Sequence, residues 1–163
     1  MGTRREARER AVQFLFQCDL NPPDDLETAL RDFWNAGQPE PENRPDAPAS
    51  PDSVDDGDTG PSAGETVMRL FAEQLVRGTL AEREGIDAHL SRLARNWAVS
   101  RMAVVDRNVL RMGMYELDHC RDIPAVVTIN EAVEIAKRFS TEESGKFVNG
   151  ILDNFRKHLK RDR

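Results

Sequence analysis

Apolar residues recur at three- and four-residue spacing in one segment after another of this chain, and no stretch alternates apolar with polar as a half-buried strand does. That periodicity restricts the fold to packed helices. Several stripes are introduced by a hydroxyl residue with glutamate three positions on: Thr3 with Glu6, Thr128 with Glu131, and Ser140 with Glu143. In such a box the hydroxyl caps a free backbone N–H while the glutamate reaches back to the cap. The first helix is expected to start at Thr3 and to bury Ala7, Ala11, Phe14, Leu15 and Cys18 before Asn21-Pro22-Pro23 stops it. A short helix over residues 24–34 follows. Others are expected from Val67 to about Glu84, over residues 87–96 with Trp97 closing it, and over about 102–118. Gly113 inside the last of these implies close helix packing. Two more follow, opened by the Thr128 and Ser140 boxes. The first carries Ile129, Ala132, Val133, Ala136 and Phe139 as its core stripe, the second Phe147, Val148, Ile151, Leu152 and Phe155. The expected class is all-α. At 163 residues the chain is one domain's worth.

The charge is unevenly spread. Residues 36–64 hold six prolines, four glycines and seven acids around an isolated Val54, a composition that cannot repay the entropy of ordering itself, so the segment reads as a disordered acidic insertion. Extended to Glu65 it holds eight carboxylates against Arg44, a charge of −7, whereas the whole chain carries −6. The remainder is therefore close to neutral, with its basic groups gathered at the ends.

No apolar run approaches the roughly 18 residues of a membrane span, and arginines and glutamates stand where a secretory leader would be apolar. The expected location is the cytoplasm, with Cys18 and Cys120 reduced. His89, His119 and His158 have no ligand-spaced companions, and no phosphate loop or metalloprotease motif is present. The reading is a non-enzyme with no metal and no cofactor.

On a helical wheel Arg4 and Arg8 border the buried face of the first helix, and Arg5, Val12 and Phe16 form a strip just outside it. Guanidinium forks beside an aromatic edge suit the phosphates and bases of single-stranded RNA. The same arginines would equally solubilise the helix and pair with Glu6 and Glu9, and Phe16 would equally serve as core. Cations near a helix N-terminus oppose its dipole at about 0.3–1 kcal/mol each, a cost that ligand phosphates would offset. A second basic group, Arg156, Lys157, Lys160, Arg161 and Arg163, lies at a helix C-terminus, where positive charge is favourable without a ligand.

Three runs, RREARERAVQFLFQ, VDRNVLRMGMYEL and INEAVEIAKRFSTEESGKFVNGILD, closely resemble the NusB family of bacterial transcription antitermination factors. The resemblance covers nearly everything outside residues 38–64. It implies an all-helical single domain of about seven helices in two packed subdomains, without enzymatic activity. It also implies a pairing with the ribosomal protein NusE, binding of boxA-type single-stranded RNA in nascent ribosomal transcripts, and company with other Nus factors and RNA polymerase.

Carried over by position, the resemblance places RNA contacts at Arg4, Arg5, Arg8, Phe16 and Phe147. The protein-partner surface falls at Val104, Val105, Asp106 and Arg107, with Glu143 as an acidic position that affects antitermination. Glu6 stands where the family often has another arginine and Phe16 where a tyrosine is common, so RNA affinity is expected to lean on the partner. Phe147 and Val105 would serve equally as core. Some family members form homodimers that hide the arginine surface, and a homodimer stays open here. Two alternatives remain: a stand-alone relative of the RNA-binding domain of a ribosomal RNA methyltransferase, and a scaffold that binds proteins only.

Overall fold

The computed structural model describes residues 3–36, 62–95 and 97–159. They form an all-α domain: α1 (Arg4–Leu20), α2 (Leu26–Ala36), α3 (Ala63–Ala81), α4 (Arg83–Leu93), α5 (Val104–His119), α6 (Ala125–Phe139) and α7 (Glu142–His158), with a 3-10 turn at Val99–Arg101. Thr3 caps α1 as expected, its Oγ1 accepting from the Glu6 N–H at 3.0 Å. Helix α5 is the axis: it packs against α1 and α3 on one side and against α4, α6 and α7 on the other. Both groups therefore share one hydrophobic core. Val109, Leu110, Met112, Met114 and Leu117 of α5 are at most 1% exposed, each worth about 1.5–3 kcal/mol of burial. Gly113 makes the close approach read from the sequence, since a Cβ there would sit 2.9 Å from Leu152 Cδ1 on α7.

Several boundaries differ from the sequence reading, each for a local reason. Helix α2 starts at Leu26 because Asp25 caps it, Oδ1 accepting from the Glu27 N–H at 3.2 Å and Oδ2 from the Thr28 hydroxyl at 2.6 Å. Helix α3 begins at Ala63, where Ser62 accepts from the Glu65 N–H at 3.2 Å. This Ser-x-x-Glu box is hidden in the acidic run, so the expected insertion ends before Ser62, and the bulk of it lies outside the described residues. A break at Glu82 separates α3 from α4, which ends at Leu93, ahead of Trp97.

Helix α6 starts at Ala125 behind Pro124, so Thr128 is not its cap. Its hydroxyl is buried and donates to Glu116 Oε1 at 2.9 Å. Thr141, one residue after Ser140, caps α7 by accepting from the Ser144 N–H at 3.0 Å, which leaves Glu143 outside any capping role. Phe139 reaches the surface, at 36% exposure, beneath the Arg138 guanidinium. Cys18 and Cys120 are buried and unpaired, and burial pushes the Cys120 thiol up to about 11.

Candidate nucleic-acid interface

The arginines of α1 have three different fates. Arg4 is exposed, leans on the Phe71 ring at 5.4 Å, and has no carboxylate partner among the described residues. Arg5 points outward with 61% of its side chain exposed and grips Glu131 of α6 with two hydrogen bonds, Nε to Oε2 at 2.9 Å and Nη2 to Oε1 at 3.0 Å. The hydrogen bond from Arg5 and its charge hold the Glu131 carboxyl below the usual range against the opposing effect of burial.

Arg8 is the correction. It is 2% exposed and its guanidinium is bound to Glu116 of α5, itself 1% exposed, by contacts of 2.5, 3.0 and 3.1 Å. It faces the core with Ala7 and Ala11 and presents nothing to a phosphate. Val12 is likewise buried, which interrupts the expected strip between Arg5 and Phe16. Phe16 is partly exposed further along α1. There it lines a hollow of about 540 Å³ between α1 and α2, together with Phe14, Cys18 and Phe33.

The positions carried over on α5 are partly engaged. Arg107 donates to Asp19 at 2.6 Å with 15% of its side chain exposed, and Asp19 also accepts from Asn108 and Arg111 at 2.9 and 3.0 Å. Asp106 Oδ2 accepts from the Ser144 hydroxyl at 2.9 Å, which sets the carboxylate on the N-terminal turn of α7, where the helix dipole favours it. Val104 and Val105 are partly buried, Val105 against the core.

Asp106, Glu143 and Phe147 are brought together: all three line a hollow of about 340 Å³ that Trp97 also lines. Phe147 is partly buried and Glu143 is 83% exposed, linked only loosely to Lys146 at 3.5 Å. The sequence-derived positions are thus dispersed: Arg5 lies at the α1–α6 seam, Phe16 in the α1–α2 hollow, Arg8 in the core, and Asp106, Glu143 and Phe147 together at the α5–α7 start. Sequence reasoning missed Glu116 and Glu131, the counter-charges of Arg8 and Arg5, because helix-to-helix pairing leaves no local trace. It also missed Trp97 beside Phe147. The spacing Arg92-x-x-Arg95-x-Trp97 was the available signal for that neighbour.

The described residues contain no cluster of metal-binding side chains, and no helix among them is long and apolar enough to cross a membrane. Comparison with known proteins agrees with this architecture. The transcription antitermination protein NusB of Desulfitobacterium hafniense (strain DSM 10664 / DCB-2) is 43% identical over 152 residues, 93% of this chain and 86% of that protein. The solved NusB of T. maritima superposes with a TM-score of 0.72 at 37% identity, covering 96% of this chain and 93% of that one. A crystal structure of antitermination factors NusB and NusE in complex with dsRNA shares the fold at 21% identity, with a TM-score of 0.71 over 95% and 96% of the two chains. With the model of the NusB family matching residues 5–157, from the α1 arginines through the last turns of α7, the chain belongs to the NusB family, whose members are non-enzymatic regulatory factors.

Proposed function

We propose that this chain is a non-enzymatic transcription antitermination factor that binds boxA-type single-stranded RNA of nascent ribosomal transcripts jointly with the ribosomal protein NusE, in company with other Nus factors and RNA polymerase. The observation that carries the RNA role is the outward pair Arg4 and Arg5, one free of ion pairs among the described residues and the other held by a single exchangeable carboxylate. A guanidinium already oriented on Glu131 needs only a phosphate in place of the carboxylate, a swap of one fork-matched anion for another. The protein bound beside NusB in the double-stranded RNA complex supports NusE as the partner class. Asp106 and Glu143, which share a hollow at the start of α7, supply acidic groups for it, and Phe147 on the same hollow is assigned to the RNA.

The test is a titration of boxA-like RNA with the full chain, with and without the ribosomal partner, at two salt concentrations. Binding is expected to tighten with the partner and to weaken with salt. Arg4→Ala with Arg5→Ala is expected to weaken it across RNA sequences and to reduce the salt slope by up to about 0.7 for each phosphate no longer held. Unchanged affinity and slope in that double variant, with helicity intact, would refute the assignment. Partner binding that is salt-independent and indifferent to RNA would establish the protein-only scaffold instead.

A further inference from the structure

Between the C-terminal end of α4 and the outer face of α7 runs an open cleft of about 1030 Å³, lined by Arg92, Arg95, Trp97, Lys146, Phe147 and Asn154. Its size is at the top of the roughly 300–1,000 Å³ typical of small-ligand sites, and its shape is an open groove, as a chain-like ligand requires. Trp97 is 55% exposed, more than is usual for an indole. It follows the α4 end, its backbone N–H bonded to the Ala94 carbonyl at 2.9 Å, and its side chain and Phe147 line both this cleft and the smaller hollow beside it. Arg92 and Arg95 are exposed and make no ion pair among the described residues. Lys146, 76% exposed, has as its ion-pair contact among the described residues the 3.5 Å approach to Glu143, which lines the adjoining hollow. His158 lies on the lining as well, a further hydrogen-bonding side chain.

We infer that Trp97, with Arg92 and Arg95, forms a second RNA-binding element, in which an unpaired base stacks on the indole while the two guanidinium groups and Lys146 hold the flanking phosphates. The inference rests on the RNA-binding reading above and extends it from the α1 arginines and Phe147 to the α4 end. Two aromatic faces alongside three cations that are at most loosely paired are the combination that tracks a single strand. A purely apolar groove would suit a helix, and a purely basic one a duplex backbone. A protein partner with an acidic, apolar strip would also match the charge and could anchor on the same indole, but separate cations spread along an open cleft suit a run of phosphates better than the compact, enclosed pocket in which an interface anchor sits.

The chain has two tryptophans, so Trp34→Phe in the full-length protein leaves Trp97 as the sole indole reporter. Titrating it with an unstructured RNA of about 12 nucleotides is expected to quench Trp97 emission saturably, at the same midpoint that a labelled-RNA anisotropy titration gives. In the parent protein, Trp97→Ala is expected to weaken RNA binding about five- to hundredfold without changing the melting temperature, and Trp97→Phe to restore most of it. Arg92→Gln with Arg95→Gln is expected to lower the salt slope by about 1 to 1.5.

Salt-dependent binding that Arg4→Ala and Arg5→Ala weaken, but that leaves Trp97 unquenched and tolerates Trp97→Ala, would overturn the α4 element while leaving the α1 reading intact. Quenching by the ribosomal partner alone, with none by RNA, would reassign the cleft to protein and overturn it. Absence of any RNA binding, even with the partner present, would remove both readings together.

Discussion

Arg8 and Glu116 form a buried ion pair that ties α1 to α5, with Glu116 also accepting from the Thr128 hydroxyl of α6 at 2.9 Å. The first helix and two consecutive later ones thus converge on one carboxylate. Taking both charges out of water is costly, and only their close geometry and the extra hydrogen bond offset it. Removing one partner is therefore expected to be far worse than removing both. Arg8→Ala or Glu116→Gln should lower stability by about 3–5 kcal/mol, and the double change Arg8→Met with Glu116→Leu should recover most of the loss. Urea melts of the three variants provide the comparison. An Arg8→Ala protein as stable as the parent but defective in RNA binding would return Arg8 to the RNA contact that the family resemblance implies.

Glu131 is set to act as an internal competitor for phosphate. Because it occupies the Arg5 guanidinium, Glu131→Gln is expected to tighten RNA binding at low salt by a few-fold, with the gain fading at high salt as screening shortens to a few ångströms. Glu134, which also contributes negative potential at Arg5 without a hydrogen bond to it, is the control. Glu134→Gln should give a clearly smaller gain. Equal gains from both would mean that bulk charge, not the fork on Arg5, governs the effect.

The difference between what is legible in the sequence and what is not follows the range of the interaction. Helix periodicity and the Thr3 box are local, and they place α1, the α5 stripe and the close packing at Gly113 well, though not its partner Leu152. The Thr128 box is deceptive, because the same Thr-x-x-Glu spelling serves a cross-helix bond to Glu116 when Pro124 has already begun the helix. The wheel puts Arg8 at the border of the buried face, and a border position is inside or outside according to what the facing helix offers. Here α5 offers Glu116, 108 positions away. Trp97 and Phe147 are 50 positions apart and meet only through the α4–α7 packing, so no window of sequence could show their shared cleft.

Acid should unfold the protein through Asp19 in particular. Burial works to raise its carboxyl, but hydrogen bonds from Arg107 and Asn108 and the charge of Arg111 outweigh it and hold the group below its ordinary value. A carboxyl depressed in the folded state contributes stability that is present above the unfolded value of about 3.9 and is lost as pH falls through the folded one. Stability from this group is thus expected to be flat from neutral pH to about 5 and to decline below about 4. Asp19→Asn should cost about 2–4 kcal/mol at pH 7 and flatten part of the acid limb. Melts at stepped pH check both, and an unaltered acid limb in the variant would assign the decline to other carboxylates.

Two glycines make opposite predictions. A Cβ on Gly78 would fall 1.9 Å from Tyr115 Cζ, on a ring that stacks against His119 with centroids 4.8 Å apart. Gly78→Ala must displace that ring and is expected to lower stability by about 1–3 kcal/mol, even after the helix-propensity gain of about 1 kcal/mol. Gly85 is exposed in α4, where an added methyl would find nothing within 4 Å, so Gly85→Ala is expected to raise stability by about 0.5–1 kcal/mol. Thermal melts of the two single variants should move in opposite directions.

The acidic segment between α2 and α3 can be shortened only from a defined point. Residues 38–61 carry seven carboxylates against Arg44, whereas Ser62 and Glu65 are committed to the α3 cap. Replacing 38–61 by a short Gly/Ser linker is therefore expected to leave the melting temperature within a few degrees, because its proline- and charge-rich composition gives it little apolar surface to bury. Extending the deletion through Ser62 should cost a further 0.5–2 kcal/mol or so for the lost cap. If the negative charge of residues 38–61 competes with RNA phosphate for the basic groups, removing it should raise RNA affinity modestly at low salt, with the gain shrinking as the screening length falls below about 8–10 Å. A collapse of the fold on the shorter deletion would show that the segment packs against the domain. A salt-independent loss of RNA binding would show that it contacts RNA directly.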